Sequence, residues 1–223
     1  MLAIVPLGLW LPRLLVVAAS LGLWFWSQAR IGRRVNPTAT EGGTIRDRVH
    51  DRTARWHRWL LAHPRHADGL LILSSLGIDL LGVYLLASAI WGPTFAPFVG
   101  LGLVFALRQI CQAYCALPTP PGMIWRYPGF PALLVTYGTA NDLFFSGHTA
   151  IAVYGALCLG SAFGVPGMVG GALLALFEIA TVLVLRAHYT MDVFAGLLAA
   201  LYAHHLATRI APWVDPWLSQ LGR

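Results

Sequence analysis

The chain contains no lysine, and charge of any kind is scarce: 11% of its 223 residues are charged, where a soluble domain carries roughly 25%. That scarcity excludes an ordinary water-facing surface. Cysteine is rare and odd in number. Cys111, Cys115 and Cys158 all fall inside apolar runs, which excludes a secreted disulfide framework and makes them small packing residues. No metal-ligand spacing such as His-Glu-x-x-His occurs, so no metal site is expected. No internal repeat is evident, which weakens a transporter built from duplicated halves.

What is present is apolar length. The chain is 57% hydrophobic, with a mean hydropathy of +0.67. Continuous apolar runs fall at about 7–26, 69–91, 94–117, 146–163, 168–185 and 193–210. Each approaches or reaches the ~20 residues that carry a helix across the hydrocarbon core. The runs do not alternate as barrel strands do. The expected fold is therefore all-α: a six-transmembrane-helix bundle forming one integral membrane domain over 1–223, a multi-pass protein placed in a bacterial cell membrane.

All fifteen basic residues are arginine, a bias that a GC-rich genome produces. Nine of them lie in the 27–68 segment against four carboxylates, so this segment holds five of the six net positive charges. Within it, 45–62 is expected to form a basic amphipathic helix carrying Trp56, Trp59, Leu60 and Leu61. Such helices lie at membrane surfaces and favour anionic lipid. Nucleic acid is not an expected partner, because no reading motif accompanies the charge. The N-terminus admits two readings. Ser27-Gln28-Ala29 resembles a small-x-small cleavage site, whereas Trp24-Phe25-Trp26 resembles an interfacial aromatic belt; a retained first span is favoured.

Two histidine motifs stand forty residues apart, Phe144-Phe145-Ser146-Gly147-His148-Thr149 and His188-Tyr189-Thr190-Met191-Asp192. Each sits at the edge of an apolar run. Counting six spans puts both motifs, the basic segment and the 118–145 loop on one face, with both termini on the other. His188 and Asp192 are four apart and share a helical face. A carboxylate there fixes the imidazole tautomer and leaves the other nitrogen free as a nucleophile; a purely structural pair tying two helices together fits the spacing equally well. Ser146 is a candidate N-cap, and a helix start presents N–H groups to an anion, so Ser146 and Gly147 are candidate phosphate contacts. His148 is placed to donate a proton to a departing alkoxide.

Arg108 lies deep in the third run and needs an anionic partner: substrate phosphate, or a carboxylate such as Asp79, Asp142 or Glu178. Arg186 is a second candidate phosphate contact or an interfacial arginine. Asp142, four residues before Ser146, is a possible supporting residue.

Together these motifs resemble the type 2 phosphatidic acid phosphatase superfamily, and within it the sphingomyelin synthase branch. The resemblance rests on Arg108-Gln109 through Leu117-Pro118-Thr119-Pro120-Pro121-Gly122-Met123, on Asn141 through Thr149, and on Ala187 through Val193. It implies a phospholipid donor and a lipid-alcohol or water acceptor. It implies nucleophilic attack by His188 with a phosphohistidine intermediate, orientation of His188 by Asp192, proton donation by His148, and no metal or cofactor. Two departures leave head group and acceptor open. The superfamily's Lys-x6-Arg-Pro motif is missing, and Arg186 precedes His188 by two residues instead of six.

Orientation is also open. The basic segment would put the site's face in the cytoplasm by the positive-inside rule, whereas enzymes resembling the chain usually work at the exoplasmic or lumenal face. Two other functions compete: an intramembrane serine protease using Ser146, and a non-catalytic lipid carrier.

Overall fold

The computed structural model describes residues 7–33, 45–137 and 143–221, and among these residues the chain is all-helical. Six helices follow in order: α1 Leu7–Gly32, α2 Arg48–Ala62, α3 Pro64–Trp91, α4 Ala96–Tyr114, α5 Gly147–Val184 and α6 Thr190–Leu221. Five of them, all but α2, are long and apolar enough to cross a membrane. The six-span expectation therefore differs from the observed element count. The fourth and fifth apolar runs form the single element α5.

Gly164 resolves that difference. Its φ of 65° and ψ of −146° are non-helical, a conformation that glycine adopts without a side-chain clash. An uninterrupted helix would set Ala156 and Gly171 about 22 Å apart, at 1.5 Å per residue. Instead, a Cβ built on Gly171 would lie 2.5 Å from Ala156 Cα, and one on Gly160 would lie 2.4 Å from Met168 Cε. The chain thus doubles back at Gly164. Its limbs, 147–163 and 165–184, pack through small residues, which let membrane helices approach closely.

Other boundaries lie beyond the hydrophobic runs. α1 continues to Gly32 and α6 to Leu221, through Pro212 and Pro216. Backbone hydrogen bonding does not stop at the edge of the apolar stretch. α4, in contrast, ends at Tyr114, with Cys115 already in extended backbone.

The core lies between α3, α4, α5 and α6, around Ile78, Leu81, Leu85, Leu101, Ile151 and Tyr154. Leu73, Leu80, Leu173, Leu176, Phe194 and Leu198 face outward. An apolar exterior around a core holding buried Glu178, Arg108 and Asp192 suits a bundle whose solvent is lipid.

At the end of the bundle where α1 begins and α6 ends, Arg13 is 2% exposed. It donates to the carbonyls of Ala89 at 3.1 Å and Gly92 at 2.7 Å, and lies 3.5 Å from Asp215. Asp215 also accepts from Thr94 Oγ1 and the Phe95 amide, each at 2.7 Å. One ion pair thus ties α1, the α3–α4 turn and α6 together.

Candidate active site

At the opposite end, the starts of α5 and α6 meet. Ser146 caps α5: its Oγ accepts from the Thr149 amide at 3.4 Å and from Thr149 Oγ1 at 3.1 Å. Its own amide donates to the Asp192 carbonyl at 3.1 Å, joining the two helix starts. Gly196 permits this closeness, since a Cβ there would lie 2.7 Å from the Ser146 carbonyl oxygen. The start of α5 faces the interior here with Gly147 and His148, and a helix start favours an anion. The first-turn amides of α6 are already taken, Thr190 by Asp47 and Asp192 and Val193 by the Tyr189 carbonyl.

Beside the start of α5 and the turn that precedes α6 lies a cavity of about 540 Å³, counted out to its mouth, lined by Arg108, Gly147, His148 and His188 among others. The remaining wall is mainly apolar and aromatic, with Trp24, Phe105 and Trp125. Arg108 reaches the cavity because Gly147 has no side chain: a Cβ there would sit 3.1 Å from Arg108 Nε and 3.4 Å from its Cζ. Arg108 Nε donates to the Phe145 carbonyl at 3.0 Å. Neither of the two described carboxylates expected as its partner takes it. Asp79 accepts the amides of Leu133 and Leu134, both at 2.8 Å, and Glu178 accepts from Ser74 at 2.5 Å.

Asp192, fully buried, stands behind His188 with Oδ2 3.5 Å from His188 Nδ1. That is ion-pair distance, longer than a good hydrogen bond, and Nδ1 has no closer partner. The same Oδ2 accepts the Tyr189 amide at 2.9 Å, which fixes the carboxylate. His148 Nε2 is likewise buried without a partner among the described residues, and its ring stands nearly perpendicular to that of Trp125, with centroids 5.1 Å apart. Buried polar atoms are normally hydrogen-bonded, so the unpartnered His148 Nε2 in the cavity wall marks a place for a polar ligand.

Not every expected contact lies here. Ser146 is buried in its capping role and is absent from the cavity wall. Arg186 adopts a positive φ of 54° and gives Nη1 to the Pro121 carbonyl at 2.8 Å, fastening the 118–137 loop and lining no part of the cavity. Asp142 lies outside the described residues.

Three contributors escaped the sequence analysis, all from the basic segment. Asp47, the N-cap of α2, accepts from the Val49 amide, the Thr190 amide and Thr190 Oγ1 at 2.8, 2.6 and 2.8 Å. Burial alone raises its pKa, but these hydrogen bonds outweigh burial and hold the carboxyl below its ordinary range. His50 Nε2 lies 3.0 Å from the His188 carbonyl oxygen, and its ring stacks on Tyr189. His57 Nδ1 donates to the Val184 carbonyl at 2.8 Å. Burial pulls the His57 pKa down, with Arg186 adding repulsion. A trace was visible in the sequence: His50, His57 and Leu60 share one side of a helix that is otherwise arginine-rich.

Residues 47–209 match the AtPDCT1/2 family, whereas neither the curated proteins nor the solved structures yielded a match. The family match corrects the expected membership in the type 2 phosphatidic acid phosphatase superfamily and its sphingomyelin synthase branch. Both histidine motifs fall inside the matched region. The match fits a multi-pass membrane protein and lends no support to a bacterial origin. Covering most of the chain, and all of the cavity wall except Trp24, it shows that the chain belongs to the AtPDCT1/2 family, a membrane lipid head-group phosphotransferase.

Proposed function

We propose that the chain moves a phosphocholine-type head group from a phospholipid to a lipid alcohol, in the manner of a phosphatidylcholine:diacylglycerol cholinephosphotransferase. The observation that carries this reading is one cavity walled by His148, His188 and Arg108, with Asp192 behind His188. Asp192 keeps the His188 proton on Nδ1, leaving the Nε2 lone pair to attack phosphorus. The P–N bond forms as the P–O bond to diacylglycerol breaks, and protonated His148 gives its proton to the departing oxygen. An incoming lipid hydroxyl then loses its proton to His148 and attacks the phosphohistidine, releasing His188. Arg108 and the start of α5 offset the phosphoryl charge.

The limbs of α5 run 17 and 20 residues either side of Gly164, or about 26 and 30 Å. Each is long enough to approach or span the hydrocarbon core of ~30 Å. In this reading the chain crosses six times, with the site on the face opposite both termini. The apolar and aromatic cavity wall suits a lipid entering from the bilayer.

Purified protein incubated with phosphatidylcholine and isotope-labelled diacylglycerol tests the proposal. The expected product is labelled phosphatidylcholine, formed by the wild type and not by His188→Asn. Choline phosphate released to water in its place would make the chain a hydrolase. Full turnover by His188→Asn would overturn the mechanism.

A further inference from the structure

The two faces of α2 meet different surroundings. The inner face is committed to the catalytic turn: His57 to Val184, His50 to the His188 carbonyl, and Asp47 ahead of the helix to Thr190. The outer face has no such ties. Arg46 pairs with Asp51 at 3.4 Å, but Arg48, Arg52, Arg55 and Arg58 meet no carboxylate among the described residues and are exposed. At 100° per residue, Arg48, Arg52, Arg55 and Trp59 fall opposite His50 and His57. Trp56 and Trp59 are 64% and 47% exposed, a large aromatic area for a helix this basic.

A second cavity, about 650 Å³, opens at the seam between the start of α2 and the catalytic turn. Ile45, Val49, Leu117 and Met191 give it an apolar wall; Arg46 and Arg48 line it together with two carboxylates, Asp192 and Asp47, the latter already bonded to Thr190. Guanidinium groups beside an apolar cleft complement a phosphate that carries acyl chains. Arginine favours bidentate phosphate contacts, interfacial tryptophan sits at head-group level, and basic amphipathic helices are drawn to anionic leaflets.

We propose that this face of α2 binds anionic phospholipid of the surrounding bilayer. One head-group phosphate seats on Arg46 and Arg48 at the seam, its chains against Val49, Leu117 and Met191. Arg52, Arg55 and Trp59 meet neighbouring lipids. A bound leaflet holds α2 down, and α2 holds the backbone of 184–190 in place, so anionic lipid raises turnover without entering the catalytic cavity. Binding stands independently of the head-group-transfer reading; the effect on turnover rests on it.

The full chain in nanodiscs of phosphatidylcholine alone, or with about 30 mol % phosphatidylglycerol, separates the two. Phosphatidylglycerol is expected to slow amide exchange at Thr190, whose N–H is held by Asp47, and to raise turnover roughly threefold or more. A variant carrying Arg46→Gln, Arg48→Gln, Arg52→Gln and Arg55→Gln should lose both responses and keep its turnover in phosphatidylcholine alone. Identical exchange in the two nanodiscs, or a variant responding like the wild type, overturns the proposal. So does inorganic phosphate reproducing the response in phosphatidylcholine nanodiscs, which would mark a soluble-anion site. Slowed exchange with no turnover in any nanodisc would uphold the lipid surface and sink the head-group-transfer reading.

Discussion

Both ends of the bundle bury charge, to different purpose. Away from the site, Arg13 meets two carbonyls and Asp215, and Asp215 meets a hydroxyl and an amide. At the site, His188 Nδ1 meets only Asp192, at 3.5 Å, and His148 Nε2 and Asp192 Oδ1 lie buried without a hydrogen-bond partner among the described residues. The first end spends its polar groups on holding helices together; the second holds them in reserve. Polarity inside a membrane protein costs free energy either way, and only where its bonds go separates a fastener from a reaction centre.

The largest expected effect follows directly. His188→Ala should lower phospholipid turnover at least about a thousandfold and leave the thermal unfolding midpoint in detergent close to wild type. A variant that lost its fold along with its activity would erase the distinction between the two ends, because His188 would then be a fastener too. Asp215→Ala should behave in the opposite way. It removes the partly buried carboxylate beside the Arg13 guanidinium and leaves Thr94 and the Phe95 amide without their acceptor, a loss of about 1–3 kcal/mol, seen as a lower unfolding midpoint. Turnover per folded molecule should stay within about twofold. A large fall in that specific activity would show that the far end is coupled to the chemistry.

The two ends were not equally legible in sequence. The site end was the more visible, because Ser-Gly-His-Thr and His-Tyr-Thr-x-Asp set reactive residue types at fixed local spacing at the edges of apolar runs. Arg13–Asp215 joins residues about two hundred positions apart, which no local pattern reveals. The doubling of the chain at Gly164 was legible as the break between the apolar runs 146–163 and 168–185. The finer placement of Arg186 was not: its backbone turns through a positive φ and aims the guanidinium at Pro121. α2 was legible as an amphipathic helix, but not as the cover of the catalytic turn. Its inner contacts are backbone carbonyls and amides, which every sequence has.

Ser146 gives a smaller and sharper test. Its hydroxyl already serves Thr149, as a fastener does, although it stands at the site end. Ser146→Ala should lower stability by about 1 kcal/mol, the usual loss for an N-cap, with turnover reduced less than about tenfold. Peptide-bond cleavage that vanished in this variant would return the serine-protease reading to contention. Retained head-group transfer would confine Ser146 to holding the start of α5 in line with Gly147 and Arg108.

The smallest effect concerns how each end responds to acid. A guanidinium does not titrate near neutrality, but the cover over the site is fastened through imidazoles. His57 is buried beside Arg186 and His50, and its pKa in the fold lies below the ordinary value, with burial the leading cause. The undocked state therefore takes up a proton more readily than the docked one. The contribution of His57 is complete above about pH 6.5, the free imidazole value, and is lost as pH falls from there through the depressed folded value. Stability of the docked α2 should decline over that window by about 1 kcal/mol or less, read as faster amide exchange across 48–62 at pH 5.5 than at pH 7.5 after correction for the intrinsic exchange rate. His57→Gln removes the titrating group and should flatten that dependence, while the unfolding step governed by Arg13 and Asp215 stays put. A corrected profile equally steep in His57→Gln would move the acid response to another group.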